Sequence, residues 1–183
     1  RFFSYIETYG AGRGAKHDDD GASGHQTHMT NTANAPTEMI ELEHPFVIKE
    51  YSLVNGSGGA GEYRGGLGLR RKMYCMTDMD VSLMVSNRRV SPYGLFGGHP
   101  GANEYGLVDL PDGTQKSITS ESLPAGSIVT IQTGGGGGWG NPHNRDPKAV
   151  AEDVSNDFVS VEAARTVYGM DVDPDTFEII KRS

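Results

Sequence analysis

The amino-acid sequence predicts an α+β protein: a mostly antiparallel β body with Gly-rich loops, followed by a C-terminal helical hairpin. Three observations carry this. Short alternating apolar segments recur through residues 45–132, separated by turn residues. Glycine makes up 26 of the 183 residues and clusters between those segments. After Pro142 the apolar spacing changes from two residues to the helical period. We divide the chain at that change, into a β-rich domain over 1–142 and a helical segment over 143–183.

Residues 1–9 read as a short strand, with Phe3, Tyr5 and, less cleanly, Thr8 and Tyr9 on a half-buried side. From Gly10 to Pro36 the periodicity is lost, and Gly, Asp, His, Thr and Asn dominate. Long loops of this kind in compact domains are usually functional or disordered. Residues 38–54 return to strand character through 45–48 and 51–54. Residues 55–68 are Gly-rich. Two alternating segments follow at 69–76 and 81–87, with Asp78 in the turn between them. Residues 91–106 form another Gly/Pro segment. Asp112-Gly113, set between 107–110 and 117–119, is a strong hairpin signal because Gly tolerates positive φ. Pro124-Ala125-Gly126 turns the chain into a strand over 127–132. Asp146 is the predicted N-cap of a helix with Pro147 at its first position. Ala149, Val150, Val154 and Phe158 repeat at helical spacing, and the helix ends before Ser160. Ser160 opens a second helix with Ala163, Ala164, Val167 and Tyr168 on its apolar face, and Gly169 stops it.

Composition narrows the function. Only 36% of residues are hydrophobic, which reads as a chain built to lie against other protein. The net charge of −8 argues against nucleic acid, since phosphate binding needs clustered Lys and Arg. The one basic triplet, Arg70-Arg71-Lys72, falls within a strand. A single cysteine, Cys75, excludes an internal disulfide and a cysteine-based zinc finger, and fits a reducing, cytoplasmic compartment. No apolar run approaches the roughly 20 residues that span a bilayer, so no membrane partner is expected. The opening residues resemble neither a signal nor a transit peptide. They begin within a strand and without Met, so further sequence is expected upstream.

Several motifs can be weighed on chemistry alone. Residues 56–61 match GxGxxG, but no helix-forming sequence follows to meet a pyrophosphate, so these glycines are expected to make tight turns or close backbone approaches. No P-loop triplet occurs. The run Gly134 to Gly138 costs roughly 0.5–1 kcal/mol per residue to order relative to Ala. The lone Trp139 that follows is an anchor. We expect an ordered loop pressed against a neighbouring surface or an active-site mouth, with a flexible connector as the alternative. Residues 17–32 gather three His, three Asp and several hydroxyls, the ordinary ligands of divalent metals, but their spacing is not diagnostic. We therefore assign no metal to this chain. Cys75, between Tyr74 and Met76, reads as a buried structural thiol. His44 and His143, beside prolines, carry no catalytic assignment.

Four ordered segments resemble the hydantoinase B/oxoprolinase family. They are Asp20-Gly21 with residues 28–38; residues 58–68; residues 92–102; and the tail from Thr133 through Asn141-Pro142, Arg145-Asp146-Pro147 and 150–154 to 163–169. The resemblance covers nearly the whole chain. It implies the C-terminal part of a B-type subunit of an ATP-dependent cyclic amide hydrolase of hydantoinase, 5-oxoprolinase or lactamase type. Related ketone carboxylases of acetone and acetophenone type, or a purely structural assembly module, are the alternatives. It implies an A-type ATPase subunit as partner, holding ATP and Mg, together with the remainder of the B-type subunit, where a divalent metal would lie upstream. It also implies a small cyclic amide or ketone as substrate, and no activity for this chain alone. Phosphorylation of a lactam oxygen makes a poor electrophile reactive, and the B-type subunit must then hold the activated intermediate away from water. The expected site residues are Asp20, His25, His28 and Asn31, at the substrate cavity or the contact with the rest of the complex. A His there has an unperturbed pKa of about 6.5, suited to general acid–base work.

Overall fold

The computed structural model describes residues 3–26, 31–86 and 88–182. The alternating segments form a five-stranded antiparallel sheet. Its strands are β1 (Phe46–Leu53), β2 (Leu69–Cys75), β4 (Tyr105–Asp109), β5 (Gln115–Ser117) and β7 (Ile128–Gln132), in the order β1-β2-β7-β4-β5. Gly113, at φ +84, turns β4 into β5 where Asp112-Gly113 predicts a hairpin. A second, two-stranded sheet pairs β3 (Met79–Ser82) with β6 (Ser120–Leu123). Register puts Met73 opposite Val129 and Val108 opposite Val129, so the middle strands share one core face. Cys75, Val108, Ile118, Leu123, Val129 and Ile131 pack there, and burial pushes the Cys75 thiol pKa up.

The C-terminal segment packs around a separate cluster of Val150, Val154, Ala164, Tyr168 and Met170. Helix α2 (Pro147–Ser155) starts where its cap predicts: Lys148 N donates to Asp146 Oδ1 at 2.8 Å. Helix α3 (Val161–Thr166) is capped by Ser160 Oγ, which accepts from Ala163 N at 3.1 Å. Gly169, at φ +68, turns the chain into a hairpin of β8 (Met170–Val172) and β9 (Ile179–Arg182), so the 143–183 segment expected to be helical also carries a strand pair.

Two local expectations are corrected. Residues 37–43 form helix α1 (Thr37–Glu43) instead of strand. Glu38, Met39, Glu41 and Leu42 are straight-chain helix formers, and only Ile40 is buried, so there is no two-sided alternation to satisfy. Residues 3–9 are extended with alternating burial, yet they join no sheet. The carbonyl of Thr8 is taken by side chains, accepting from Asn34 Nδ2 at 2.8 Å and Gln26 Nε2 at 3.1 Å.

The glycine clusters build the feature that positions everything else. Gly134 to Gly138 run buried through the molecule, and their hydrogen bonds fan out with a period of three. Gly134 O and Gly137 O accept from Gly12 N (2.8 Å) and Ala15 N (2.9 Å) on one flank. On a second flank, Gly135 N and Gly138 N donate to Ala102 O (3.1 Å) and His99 O (2.9 Å). On the third, Gly136 N donates to Gly66 O (2.9 Å) and Gly136 O accepts from Gly59 N (2.8 Å). This is the pattern of an extended helix with three residues per turn. The run is thus neither a connector nor a loop against a neighbouring surface; it is the interior axis of its own chain. Only backbone without Cβ can be surrounded this closely: a Cβ on Gly136 would stand 1.9 Å from Arg13 O, and one on Gly65 1.9 Å from Gly136 O. Gly58 and Gly59 of the GxGxxG match make the same kind of approach, with no helix after them. Here paired peptide groups fill space that apolar side chains fill elsewhere, which accounts for the low hydrophobic share.

Candidate functional site

Asp20 ends the first part of the polar loop in a buried ion network. Arg145 grips its carboxylate with both arms, Nη1 to Oδ1 at 2.8 Å and Nη2 to Oδ2 at 2.7 Å. Arg64 N donates to Asp20 Oδ1 at 2.6 Å. Arg145 Nη2 also donates to Asp153 Oδ2 at 2.8 Å, and Arg64 Nε to Asp153 Oδ1 at 3.2 Å. Two arginines and two aspartates thus neutralise one another across the loop, the glycine segment and α2. Burial pushes the Asp20 pKa up, but the Arg145 hydrogen bonds and charge and the Arg64 N–H outweigh it, leaving the carboxyl below its ordinary value. Both Asp20 oxygens accept hydrogen bonds, so this carboxylate anchors the loop.

Beyond Asp20 the loop is pinned again. His25 N donates to Ala11 O at 2.9 Å, and Ala11 N donates to His25 O at 3.4 Å, so the exposed His25 ring stands on a fixed backbone. Gln26 is buried and bound on both ends: its Oε1 accepts from Thr32 Oγ1 at 2.6 Å and Thr8 Oγ1 at 3.2 Å, while Nε2 donates to Thr8 O and Asn34 Oδ1. Asn31 is exposed. His28 lies outside the described residues. The structure thus places Asp20 in the ion network and leaves His25 and Asn31 on the surface of the same loop.

A second buried pair supports this region. Arg71 is 2% exposed, is ion-paired to Glu7, and lies between the rings of Tyr9 and Tyr51 at 5.3 and 5.0 Å. Burial raises the Glu7 pKa, but Tyr5, Asn34 and Arg71 together hold it below the usual carboxylate range. Burial likewise pushes Tyr9 up to about 12. The basic triplet is spent on such partners: Lys72 Nζ lies 2.8 Å from Glu50, and Arg70 Nη2 donates to Gln132 Oε1 at 2.7 Å. Sequence reasoning did not single out Arg71 as a site residue, but a signal was available. Arg71 shares the inward face of β2 with Met73 and Cys75, and a charge there must be paired. No such signal marks Arg64, Arg145 or Asp153, which meet from residues 89 and 8 positions apart.

Among the described residues no group of three or more His, Cys, Asp and Glu side chains can hold a metal ion. The glycine segments 58–66 and 134–138 are closed against one another. An open cleft of about 500 Å³ lies beside the ion network, lined among others by Asp18, Asp19, Asp20, Glu62, Tyr63 and Arg145. No helix of the described residues is long and apolar enough to cross a membrane.

Fold and sequence together define the class: residues 1–142 match the model of the hydantoinase B/oxoprolinase family, and the chain belongs to that family. An uncharacterised protein of Methanocaldococcus jannaschii is 39% identical over 171 residues, 92% of this chain and 30% of that protein. A 5-oxoprolinase of Dictyostelium discoideum is 34% identical over 139 residues, 74% of this chain and 11% of that one. The crystal structure of the ATP-dependent caprolactamase of Pseudomonas jessenii superposes with a TM-score of 0.77 at 29% identity, over 89% of this chain and 30% of that one. The chain thus spans less than a third of the length of each of these relatives.

Proposed function

We propose that this chain acts as the C-terminal part of a B-type subunit in an ATP-dependent hydrolase of cyclic amides. In this reading an A-type ATPase subunit binds ATP and Mg and activates the ring, and the B-type subunit completes the opening. The observation that carries it is the likeness at 29–34% identity to proteins named for such substrates, a 5-oxoprolinase and an ATP-dependent caprolactamase. The 1–142 body and the 143–183 segment act as one support, joined through Asp20, Arg64, Arg145 and Asp153. The pinned loop presents His25, His28 and Asn31 to the substrate cavity or to the contact with the rest of the complex, while Asp20 anchors it. The chain supplies no ATP or metal site in this reading and is inactive alone.

The test uses the complete complex. ATP hydrolysis is measured with hydantoins, 5-oxoproline and lactams, with and without bicarbonate, for the native protein and for His25→Ala and His28→Ala. Substrate-stimulated ATP hydrolysis with ring opening, and turnover lowered about tenfold or more in at least one variant with assembly intact, is the expected result. Turnover of a ketone that requires bicarbonate would overturn the hydrolase assignment. Unchanged turnover in both variants would make the loop structural.

A further inference from the structure

Four rings meet where the glycine axis ends. Trp139 follows directly on Gly138, and its backbone is locked: Trp139 N donates to Tyr63 O at 2.9 Å, Tyr63 N donates to Trp139 O at 3.0 Å, and Leu95 bridges from the other side. Around the indole stand His17, edge-on with centroids 5.0 Å apart, Phe96 at 5.3 Å and Tyr63 at 5.9 Å. Trp139 and Tyr63 are half-buried, while His17 is exposed and Phe96 is 76% exposed. Phe96 also has φ +52. That region costs a bulky L-residue about 1–2 kcal/mol, and here it holds an apolar ring in water. Neither the strain nor the exposure helps this chain fold. Rigidly mounted, partly exposed aromatic residues are the usual anchors of binding surfaces.

The charge beside the rings is one-sided. Asp18 and Asp19 follow His17, and Glu62 precedes Tyr63; its Oε2 lies only 3.0 Å from where a Cβ on Gly140 would stand. Together with Asp146 they line the open cleft. Arg145 is already neutralised by Asp20 and Asp153. Lys16, exposed, bridges Asp18 at 3.7 Å and Asp19 at 3.4 Å. Tyr63 belongs both to this cleft and to the ring cluster, so the carboxylates border the shelf. Rings and carboxylates both favour a cation, and a guanidinium suits both, because it is planar, weakly hydrated and forked.

We propose that this aromatic shelf is a docking surface for a partner polypeptide that inserts an arginine side chain. The guanidinium lies over the exposed Phe96 ring, beside Trp139, and pairs with Glu62 and the Asp18–Asp19 edge. The proposal is independent of which substrate the complex hydrolyses. Trp139 is the chain's single tryptophan, so its fluorescence reports the site. The full chain is titrated with acetyl-Gly-Arg-Gly-Arg-Gly-amide and, as control, with the same peptide carrying Glu in place of Arg.

The expected result is a saturable fluorescence change with the Arg peptide, of roughly millimolar dissociation constant, that weakens as salt is raised. Glu62→Gln and the double change Asp18→Asn/Asp19→Asn should each weaken binding several-fold. Phe96→Gly removes a ring while relieving the positive φ, so it should lose binding and keep its unfolding midpoint. The proposal is overturned if the Arg peptide gives no saturable change, if the Glu peptide gives the same change, or if Glu62→Gln and the Asp18/Asp19 change bind like the native chain.

Discussion

Replacing Gly136 by Ala tests the glycine axis directly. The new Cβ would stand 1.9 Å from Arg13 O, 2.2 Å from Arg13 C and 2.6 Å from Gly14 N. Ordinary contact begins near 3.4 Å, so one backbone must move by about 1.5 Å. All three atoms are backbone, and no side chain can rotate away. Overpacking of this kind costs about 1–3 kcal/mol. The same movement disturbs the bonds from Gly136 N to Gly66 O and from Gly59 N to Gly136 O, each worth about 1 kcal/mol. Ala restricts the unfolded chain and returns about 0.4–1 kcal/mol. The net loss is about 2–5 kcal/mol, a large share of the roughly 5–15 kcal/mol that holds a domain together. Gly14→Ala is the internal control. Its nearest neighbour is Gly137 O at 3.8 Å, and its φ is not positive, so it should be neutral or slightly stabilising. Urea unfolding of the two variants beside the native chain measures both. At a slope of about 2 kcal/mol per molar, Gly136→Ala should lower the midpoint by about 1–2.5 M. A loss below about 1 kcal/mol for Gly136→Ala, or equal losses for both variants, would refute the close-packed axis.

Other perturbations probe the remaining supports. Asp153→Ala leaves Arg64 and part of Arg145 buried without their shared partner, and should cost about 3–5 kcal/mol in chemical unfolding. Asp146→Ala removes the α2 cap and should cost about 1 kcal/mol, with loss confined by hydrogen exchange to the first turn of α2. Asp20 and Glu7 both have pKa values below those of the unfolded chain. Their stabilisation is therefore complete above the unfolded carboxyl pKa near 4, and is lost as pH falls through the lower folded values. The unfolding midpoint should be flat from about pH 7 to 5 and fall steeply below about pH 4, and Asp20→Asn should flatten that fall. An unchanged acid slope in Asp20→Asn would show that Asp20 contributes nothing to it.

Local chemistry determined a good deal of this protein by itself. Asp146-Pro147 and Ser160 set both C-terminal helix starts, because a cap needs only its own side chain and the next turn. Asp112-Gly113 set a hairpin for the same reason, and the alternation of residues 69–75 set a strand. The ordered motifs from Asp20 to Gly169 carried the family. Local chemistry went astray where the partner was remote or the window short. Residues 37–43 became a helix because nothing buries a second face. Residues 3–9 kept a strand's alternation without a ladder, since Gln26 and Asn34 side chains take their carbonyl.

Only the tertiary structure decided what the glycine run and the charged residues do. A glycine in sequence signals absence, and whether that absence means freedom or close approach depends on the neighbours. Here segments 12–15, 59–66 and 99–102 close around residues 134–138. Asp20 likewise reads as one of three adjacent acids, equally suited to a loop tip or a ligand. Its fate was set by Arg145, 125 residues away, because a buried carboxylate takes its role from whichever cation the fold brings to it.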